Sequence, residues 1–309
     1  MNKKLKVAVL MGGKSSEHEV SIVSGKEVIK NLDKKKYMVY PLVISKDGKG
    51  LNKIVKINPD IAFIALHGKY GEDGKIQGFL EVIGIPYVGS GVLASAIGMD
   101  KEIFRELMNF HKVPIPEYVF LKKGEKYQSV YKTLGAPPYF VKPVEGGSSI
   151  GVSPAKNLNE LKKSMNLAFE YDNRILVDKY IKGREFTCAV TGNDKPIALP
   201  VVEIKPLKGS FFDYESKYAE SGSEEIVPAR ISKTLTEKIQ KIALEVYRIV
   251  GCRGFGRVDF ILKDGRTPVV LEVNTIPGLT PMSLFPKAAK AAGISYPRLL
   301  DMIIDLVKS

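Results

Sequence analysis

The stretch that most restricts what this chain can become is residues 257–284, RVDFILKDGRTPVVLEVNTIPGLTPMSL. Residues 258–262 are apolar and β-prone, Asp264-Gly265 is a hairpin-turn dipeptide, and residues 268–273 run back as a second strand. Asp259 lies in the first strand. Glu272 and Asn274 lie two residues apart in the second and so point to one face. Two carboxylates and an amide oxygen thereby gather on one side of a two-stranded platform, a hard-oxygen set that suits Mg²⁺. By spacing alone the acids read equally well as solvated strand charges. The flanks favour a bound cation, because a lone carboxylate in an apolar run such as VVLEV is costly unless paired or metal-bound. Beyond Asn274, Pro277 and Pro281 stiffen the loop, and Gly278 permits a tight turn or brings its N–H close to a ligand.

A chain of 309 residues buries a large core and divides into two or three subdomains. Cys188 and Cys252 lie far apart, so no disulfide framework or cysteine metal site follows, and a reducing compartment fits. The basic and apolar start, MNKKLKVAVLMGG, is too short for a signal core and reads as a strand running into a loop. No stretch reaches the ~18 apolar residues a membrane span needs, so the expectation is a cytoplasmic protein without a membrane partner. The net charge of +13 admits three readings: nucleic-acid binding, attraction of an anionic substrate, or a solvated lysine-rich surface. The lysines are scattered and lack basic–aromatic interleaving, which favours the last and argues against nucleic acid.

In chain order, a buried strand at 6–10, a glycine-rich loop at 11–19 and a helix over about 20–32 open a doubly wound α/β unit. Gly13-Lys14-Ser15 is not a P-loop, because the position five residues before Gly13 is Ala8, inside the strand. Strands at 37–44 and 61–66 follow. Ligands of open α/β sheets bind beyond the carboxyl ends of the strands, where Glu17 and His67 fall. Asp100 caps a helix carrying Lys101. Residues 140–143, FVKP, lead into a second glycine loop at 145–152, whose amides and hydroxyls (Ser148, Ser149) either wrap an anion or form a mobile hairpin turn. An aromatic-rich loop at 211–218 precedes a helix over 232–250, and residues 283–309 are helical.

Together these motifs resemble the D-alanine–D-alanine ligase family of ATP-grasp carboxylate–amine ligases. The spaced Asp, Glu and Asn of RVDF and LEVN are shared by ATP-grasp enzymes generally, whereas NT-x-PG-x-T-x-x-SL is specific to this branch. The resemblance continues upstream through GG-x-SxExEVS (12–21), HG-x-x-GEDG-x-x-QG (67–78), MDK-x-x-x-R (99–105), VKP with its glycine loop, and the hinge ILVDKYI (175–181). It implies an α/β fold: an N-terminal doubly wound parallel-sheet domain (1–97), a central ATP-grasp subdomain with the ATP lid (98–181), and a C-terminal subdomain with metal site and omega loop (182–309). It also implies a cytoplasmic homodimer that joins two D-alanines through an acyl phosphate, with ATP as substrate, for peptidoglycan precursor synthesis.

The resemblance assigns roles residue by residue. Glu17 would hold the first D-alanine's ammonium, networked with Ser148 and Tyr218, with His67 close by. Lys101, Lys142, Ser148 and Ser149 would meet the phosphates. Asp178, Lys179, Tyr180 and Ile181 would read adenine, although the family usually carries Glu where Asp178 stands. Glu185 would hold the ribose. Asp259, Glu272 and Asn274 would bind two Mg²⁺ ions, or Mn²⁺. Arg257 and the Gly278 amide would stabilise the oxyanion. Ser283, Leu284 and Lys217 would bind the second substrate's carboxylate, and Lys217 would also reach phosphate. Tyr218 favours an amine over a hydroxyl nucleophile, because the position differs in relatives that make D-alanyl-D-lactate. The nearest alternative is an ATP-grasp ligase with another acid or amine. A basic regulatory or nucleic-acid-binding α/β protein would leave the Asp/Glu/Asn platform without a purpose.

Overall fold

The computed structural model describes residues 3–147, 150–206 and 223–308. The first unit is built on β1 (Leu5–Gly12), which pairs in parallel with β2 (Tyr37–Ile44) on one side and β3 (Ile61–Ile64) on the other. Helix α1 (His18–Asn31) makes the first crossover. It starts two residues earlier than its apolar spacing suggests, and its first residue, His18, sets Nδ1 2.7 Å from the Gly13 carbonyl. The short α2 (Lys53–Ile57) and α3 (Lys75–Val82) complete this unit, and α4 (Val92–Met99) leaves it, with Ala94 in the core of the larger sheet described below. β1 and β3 are buried almost throughout, the continuous apolar reading expected of a central parallel sheet.

Helix α5 (Lys101–Phe110) comes next, its Phe104 and Met108 in that same core, and Asp100 caps it as expected, its carboxylate accepting the amides of Glu102 and Ile103. A four-stranded antiparallel sheet follows in the order β4–β7–β5–β6, formed by β4 (Tyr118–Lys122), β5 (Tyr139–Pro143), β6 (Ser153–Ala155) and β7 (Arg174–Lys179). α6 (Gln128–Leu134) and α7 (Leu158–Ala168) cover one face and share a separate core with it.

The third unit is a larger antiparallel sheet of β8 (Gly183–Thr191), β9 (Ile197–Ala198), β10 (Val202–Pro206), β11 (Ser223–Ile226), β12 (Phe255–Lys263) and β13 (Thr267–Asn274). Its order is β11–β10–β8–β12–β13, with β9 added on β8. α8 (Lys233–Val250), started by the Ser232 side chain, packs its apolar stripe against β12 and β8. Along β12, Val258, Phe260 and Leu262 face that core while Arg257, Asp259 and Ile261 alternate to the other side. The last two helices, α9 (Leu284–Ala291) and α10 (Tyr296–Asp305), return to the first unit. Phe285, Leu299, Leu300, Ile303 and Ile304 share one buried cluster with β1 and β3. Asp301 fixes this docking by accepting from the Tyr37 hydroxyl at 2.9 Å and pairing with Lys36 at 2.6 Å. Burial, then the hydrogen bond to Asp301, raises the Tyr37 hydroxyl well above its ordinary range.

Candidate active site

The β12–β13 hairpin turns where the Asp-Gly pair predicts, with Asp264 and Gly265 both at positive φ. Asp259 lies directly opposite Glu272. Next to that pair the register slips: Phe260 faces Val270, leaving Leu271 as an extra residue on β13. The bulge lets both Leu271 and Glu272 line the same cavity, a re-aiming that a regular strand forbids. Asp259 accepts two bonds from the Arg257 fork, at 2.8 and 2.7 Å, and one from Thr187 on β8 at 2.6 Å. Asn274 Oδ1 accepts the Ile276 amide and so shapes the start of the following loop. Asp259 and Glu272, paired across the strands and both lining the cavity, suit a hard divalent cation, with Asn274 two residues beyond Glu272. Asp259 already takes three hydrogen bonds as an anion, and Arg257 supplies the positive charge that offsets it.

The cavity they face, about 180 Å³, opens between the two antiparallel sheets. Lys101, Lys142, the hinge residues Asp178, Lys179, Tyr180 and Ile181, and Glu185 all line it, together with Arg257, Asp259, Glu272 and Leu284. Lys101 grips the base of the glycine loop, donating to the carbonyls of Gly146 at 2.7 Å and Val144 at 3.4 Å. Lys142 pairs with Asp178 at 2.7 Å. Asp178 is thus turned inward to cations at the position where the family usually carries a longer acid. The hinge amides of Lys179 and Tyr180 are donated to the carbonyls of Glu117 and Pro138, and Ile181 follows them along the cavity wall.

A second cluster lies at the carboxyl ends of β1 and β3. Glu17 stands at the start of α1 but does not cap it. Its carboxylate is instead turned toward Gly68 and the glycine loop, where a Cβ on Gly147 would lie 2.7 Å from Oε1. Gly147 also lines the lysine-rimmed cavity, so the two sites meet at this residue. His67 is 4% exposed and sits 3.0 Å from the Ser24 hydroxyl and 3.8 Å from Glu72. Burial lowers its pKa, but the bond to Glu72, the charges of Glu72 and Glu17 and the Ile276 carbonyl outweigh it, and the imidazole is held above its ordinary value. Across the loop, the Ser283 hydroxyl pairs with Thr280 Oγ1 at 2.9 Å rather than capping α9, and a side chain at Gly278 would strike it.

The structure brings Lys101, Lys142, Asp178, Lys179, Tyr180, Ile181, Glu185, Arg257, Asp259, Glu272 and Leu284 around one cavity, with Glu17 and His67 clustered where Gly147 lines it and Gly278 and Ser283 together on the loop before Leu284; Asn274, its oxygen taken by the Ile276 amide, is not among the lining residues. Ser148, Ser149, Lys217 and Tyr218 lie outside the described residues. Sequence reasoning gave no role to Ser24, Glu72, Thr187 or Arg105. Glu72 was within reach, since a buried histidine needs an acceptor and GEDG begins a few residues on. The thiols of Cys188 and Cys252 are pushed up to about 12 by burial and take no part.

A parallel-sheet unit followed by two antiparallel sheets that clasp a lysine-rimmed cavity over an Asp–Glu hairpin defines an ATP-grasp carboxylate–amine ligase. Family models described as D-ala D-ala ligase N-terminus and C-terminus match residues 6–58 and 50–90, and 107–305. A D-alanine–D-alanine ligase of Desulforudis audaxviator is 44% identical over 98% of both chains. One of Pelotomaculum thermopropionicum is 41% identical over 98% of this chain and 96% of its own. The Bacillus anthracis ligase solved with ATP superposes with a TM-score of 0.85 at 39% identity, covering 98% of this chain and 97% of that one. The VanG D-Ala:D-Ser ligase of Enterococcus faecalis gives a TM-score of 0.87 at 35% identity, covering 99% and 100%. The chain belongs to the D-alanine–D-alanine ligase family.

Proposed function

We propose that the chain uses ATP to join two D-alanines into D-alanyl-D-alanine for peptidoglycan synthesis. The observation that carries this reading is the meeting of the Glu17–His67 cluster and the lysine-rimmed cavity at Gly147: a carboxylate suited to an ammonium lies beside lysines suited to a polyphosphate. Amide formation from a free acid is uphill, so the carboxylate is first activated. A carboxylate oxygen of the first D-alanine attacks the γ-phosphorus, the bond to ADP breaks, and an acyl phosphate forms. Phosphoryl transfer needs positioning and charge neutralisation more than covalent help, and Lys101 and Lys142 supply both at the cavity's edge. Asp259, Glu272 and Asn274 would hold magnesium or manganese, two ions in our reading, which neutralises polyphosphate charge when bound.

The remaining steps follow from the same residues. Glu17 pairs with the first substrate's ammonium, and His67, whose pKa Glu72 helps to raise, lies close to its carboxylate. Glu185 takes the ribose hydroxyls, and the hinge backbone takes the base. Ser283, at the start of α9 beside Leu284, binds the second carboxylate where helix amides favour an anion. The second amine attacks the acyl carbon, the C–O bond to phosphate breaks, and the nitrogen loses a proton. Arg257 and the Gly278 amide receive the oxyanion, and losing one such donor typically costs ~3 kcal/mol. Ser148 and Tyr218 complete the Glu17 network, Ser149 joins the phosphate lid, and Lys217 contacts phosphate and the second carboxylate. The division at 97/98 and 181/182, the homodimer, the cytoplasmic setting and the lack of nucleic-acid or membrane partners belong to the same reading. The need for ATP, two buried reduced thiols and the absence of a membrane-long apolar helix among the described residues support the setting.

The test is phosphate release from ATP and Mg²⁺ with D-alanine, L-alanine, and D-alanine competed by D-serine or D-lactate, with products identified by mass. Release with D-alanine and a D-alanyl-D-alanine product is expected. A mixed product as the main species would reassign the second substrate.

A further inference from the structure

Arg105, midway along α5, is 1% exposed, and no role described above uses it. Its guanidinium reaches two other elements. Nη1 donates to the Val270 carbonyl of β13 at 3.0 Å, and Nη2 donates to Asp178 Oδ2 of β7 at 3.1 Å. That same oxygen lies 2.7 Å from Lys142 Nζ on β5. One buried side chain thus ties the helix that begins at Lys101, the strand that ends in the hinge, and the strand that carries Glu272.

Two cations share one carboxylate where the three side chains are 1%, 5% and 10% exposed. Such an arrangement, with a net charge of +1, is unfavourable in a dry setting unless a compensating anion is near. The cavity lined by Lys142 and Asp178 is where the nucleotide's phosphates would supply it. Within this cluster, Arg105 Nε and Asp178 Oδ1 are buried without a hydrogen-bond partner among the described residues. A lysine could not do the same work, since one ammonium cannot present the planar fork that spans Val270 and Asp178.

We propose that Arg105 is a positioning residue for the nucleotide. It holds Asp178, and through it the Lys142 ammonium, at a fixed separation from the Glu272 hairpin, and so sets the width of the cleft between the two antiparallel sheets. The inference rests on the cavity being the nucleotide site. It also explains how the shorter Asp178 serves where a glutamate is usual, with the arginine reaching back to meet it.

The test uses the full chain in five forms besides wild type: Arg105→Lys, Arg105→Met, Asp178→Asn, the double variant Arg105→Met/Asp178→Asn, and Glu185→Ala as a cavity control. Each is assayed for kcat, for KM of ATP and of D-alanine, for binding of the non-hydrolysable analogue AMP-PNP, and for thermal midpoint. Arg105→Met should raise KM for ATP and weaken AMP-PNP by about 10- to 100-fold, with KM for D-alanine within about twofold. Arg105→Lys should rescue only part of the loss, and the double variant should be clearly less impaired than the product of the singles. A lowered midpoint with nucleotide affinity unchanged in Arg105→Lys, or strictly multiplicative effects in the double variant, would overturn the positioning role alone. Should Arg105→Met fail to fold, Arg105→Lys and Asp178→Asn still decide the matter. Unchanged AMP-PNP binding in Glu185→Ala as well would overturn the cavity reading, and the proposal with it.

Discussion

Replacing Gly147 by alanine is the sharpest probe of how the two halves of the site meet. An added Cβ would stand 2.7 Å from Glu17 Oε1, so either the carboxylate or the glycine loop must yield by about 0.7 Å to regain ordinary contact. Neither retreats freely. The loop base is gripped by Lys101 on two carbonyls, and Glu17 is 7% exposed beside Gly68. A misplacement approaching 1 Å of a substrate-positioning group costs up to ~100-fold, so Gly147→Ala should lower kcat/KM for D-alanine by about 10- to 100-fold, or ~1.4–2.7 kcal/mol. The assay is steady-state phosphate release at saturating ATP with D-alanine varied. The loss should be strongly non-additive with Glu17→Gln, which removes the charge that the loop is packed against. Wild-type kcat/KM in Gly147→Ala would refute the reasoning, because it would mean that the carboxylate does not rest against the loop during turnover.

Other outcomes follow from the same geometry. Because the folded-state pKa of His67 is raised, its charge contributes stability that is fully present below the unfolded pKa and is lost as pH rises through the folded one; Glu72→Gln should remove part of that acid-side stability, read by urea unfolding against pH, and an unchanged profile would separate Glu72 from the imidazole. Glu272→Gln should abolish magnesium-dependent turnover while leaving the thermal midpoint near that of wild type, and near-normal phosphate release would remove it from the metal site. Tyr218→Phe should raise the share of depsipeptide when D-lactate competes with D-alanine, read by product mass; an unchanged ratio would sink that assignment. Tyr37→Phe deletes a buried hydrogen bond to Asp301 and should cost ~1–2 kcal/mol in urea unfolding without changing KM for ATP.

The hairpin at 257–274 was legible because its three signals agree: alternation on β12, an Asp-Gly turn, and two polar residues in an apolar return strand. The bulge at Leu271 was not, since an extra residue in an apolar run leaves the pattern VVLEV unchanged. Cap chemistry at Asp100 marked one helix start closely, whereas the start of α1 at His18, whose ring turns back to the Gly13 carbonyl, lies two residues before its apolar pattern begins. Motif matching brought Lys142 and Asp178 to the right cavity but not to each other. Their contact, and the burial of Arg105 against partners 73 and 165 residues away, depend on tertiary packing that no local window contains. Lys101 likewise looked like a phosphate ligand alone, and its hold on the glycine loop appears only once β5 and α5 are side by side.

The return of α9 and α10 to the first sheet has a consequence for how the enzyme is made. β1, β2 and β3 are complete within the first quarter of the chain, yet Phe285, Leu299, Leu300, Ile303 and Ile304 belong to their buried cluster, and Asp301 closes the contact at Tyr37. On the ribosome, at ~5–20 residues per second, that sheet waits some tens of seconds or less with its face for the last two helices bare. Nascent chains halted before Leu284 should therefore expose a sticky apolar surface and recruit holdase chaperones, whereas release of the finished chain should seal it in one step.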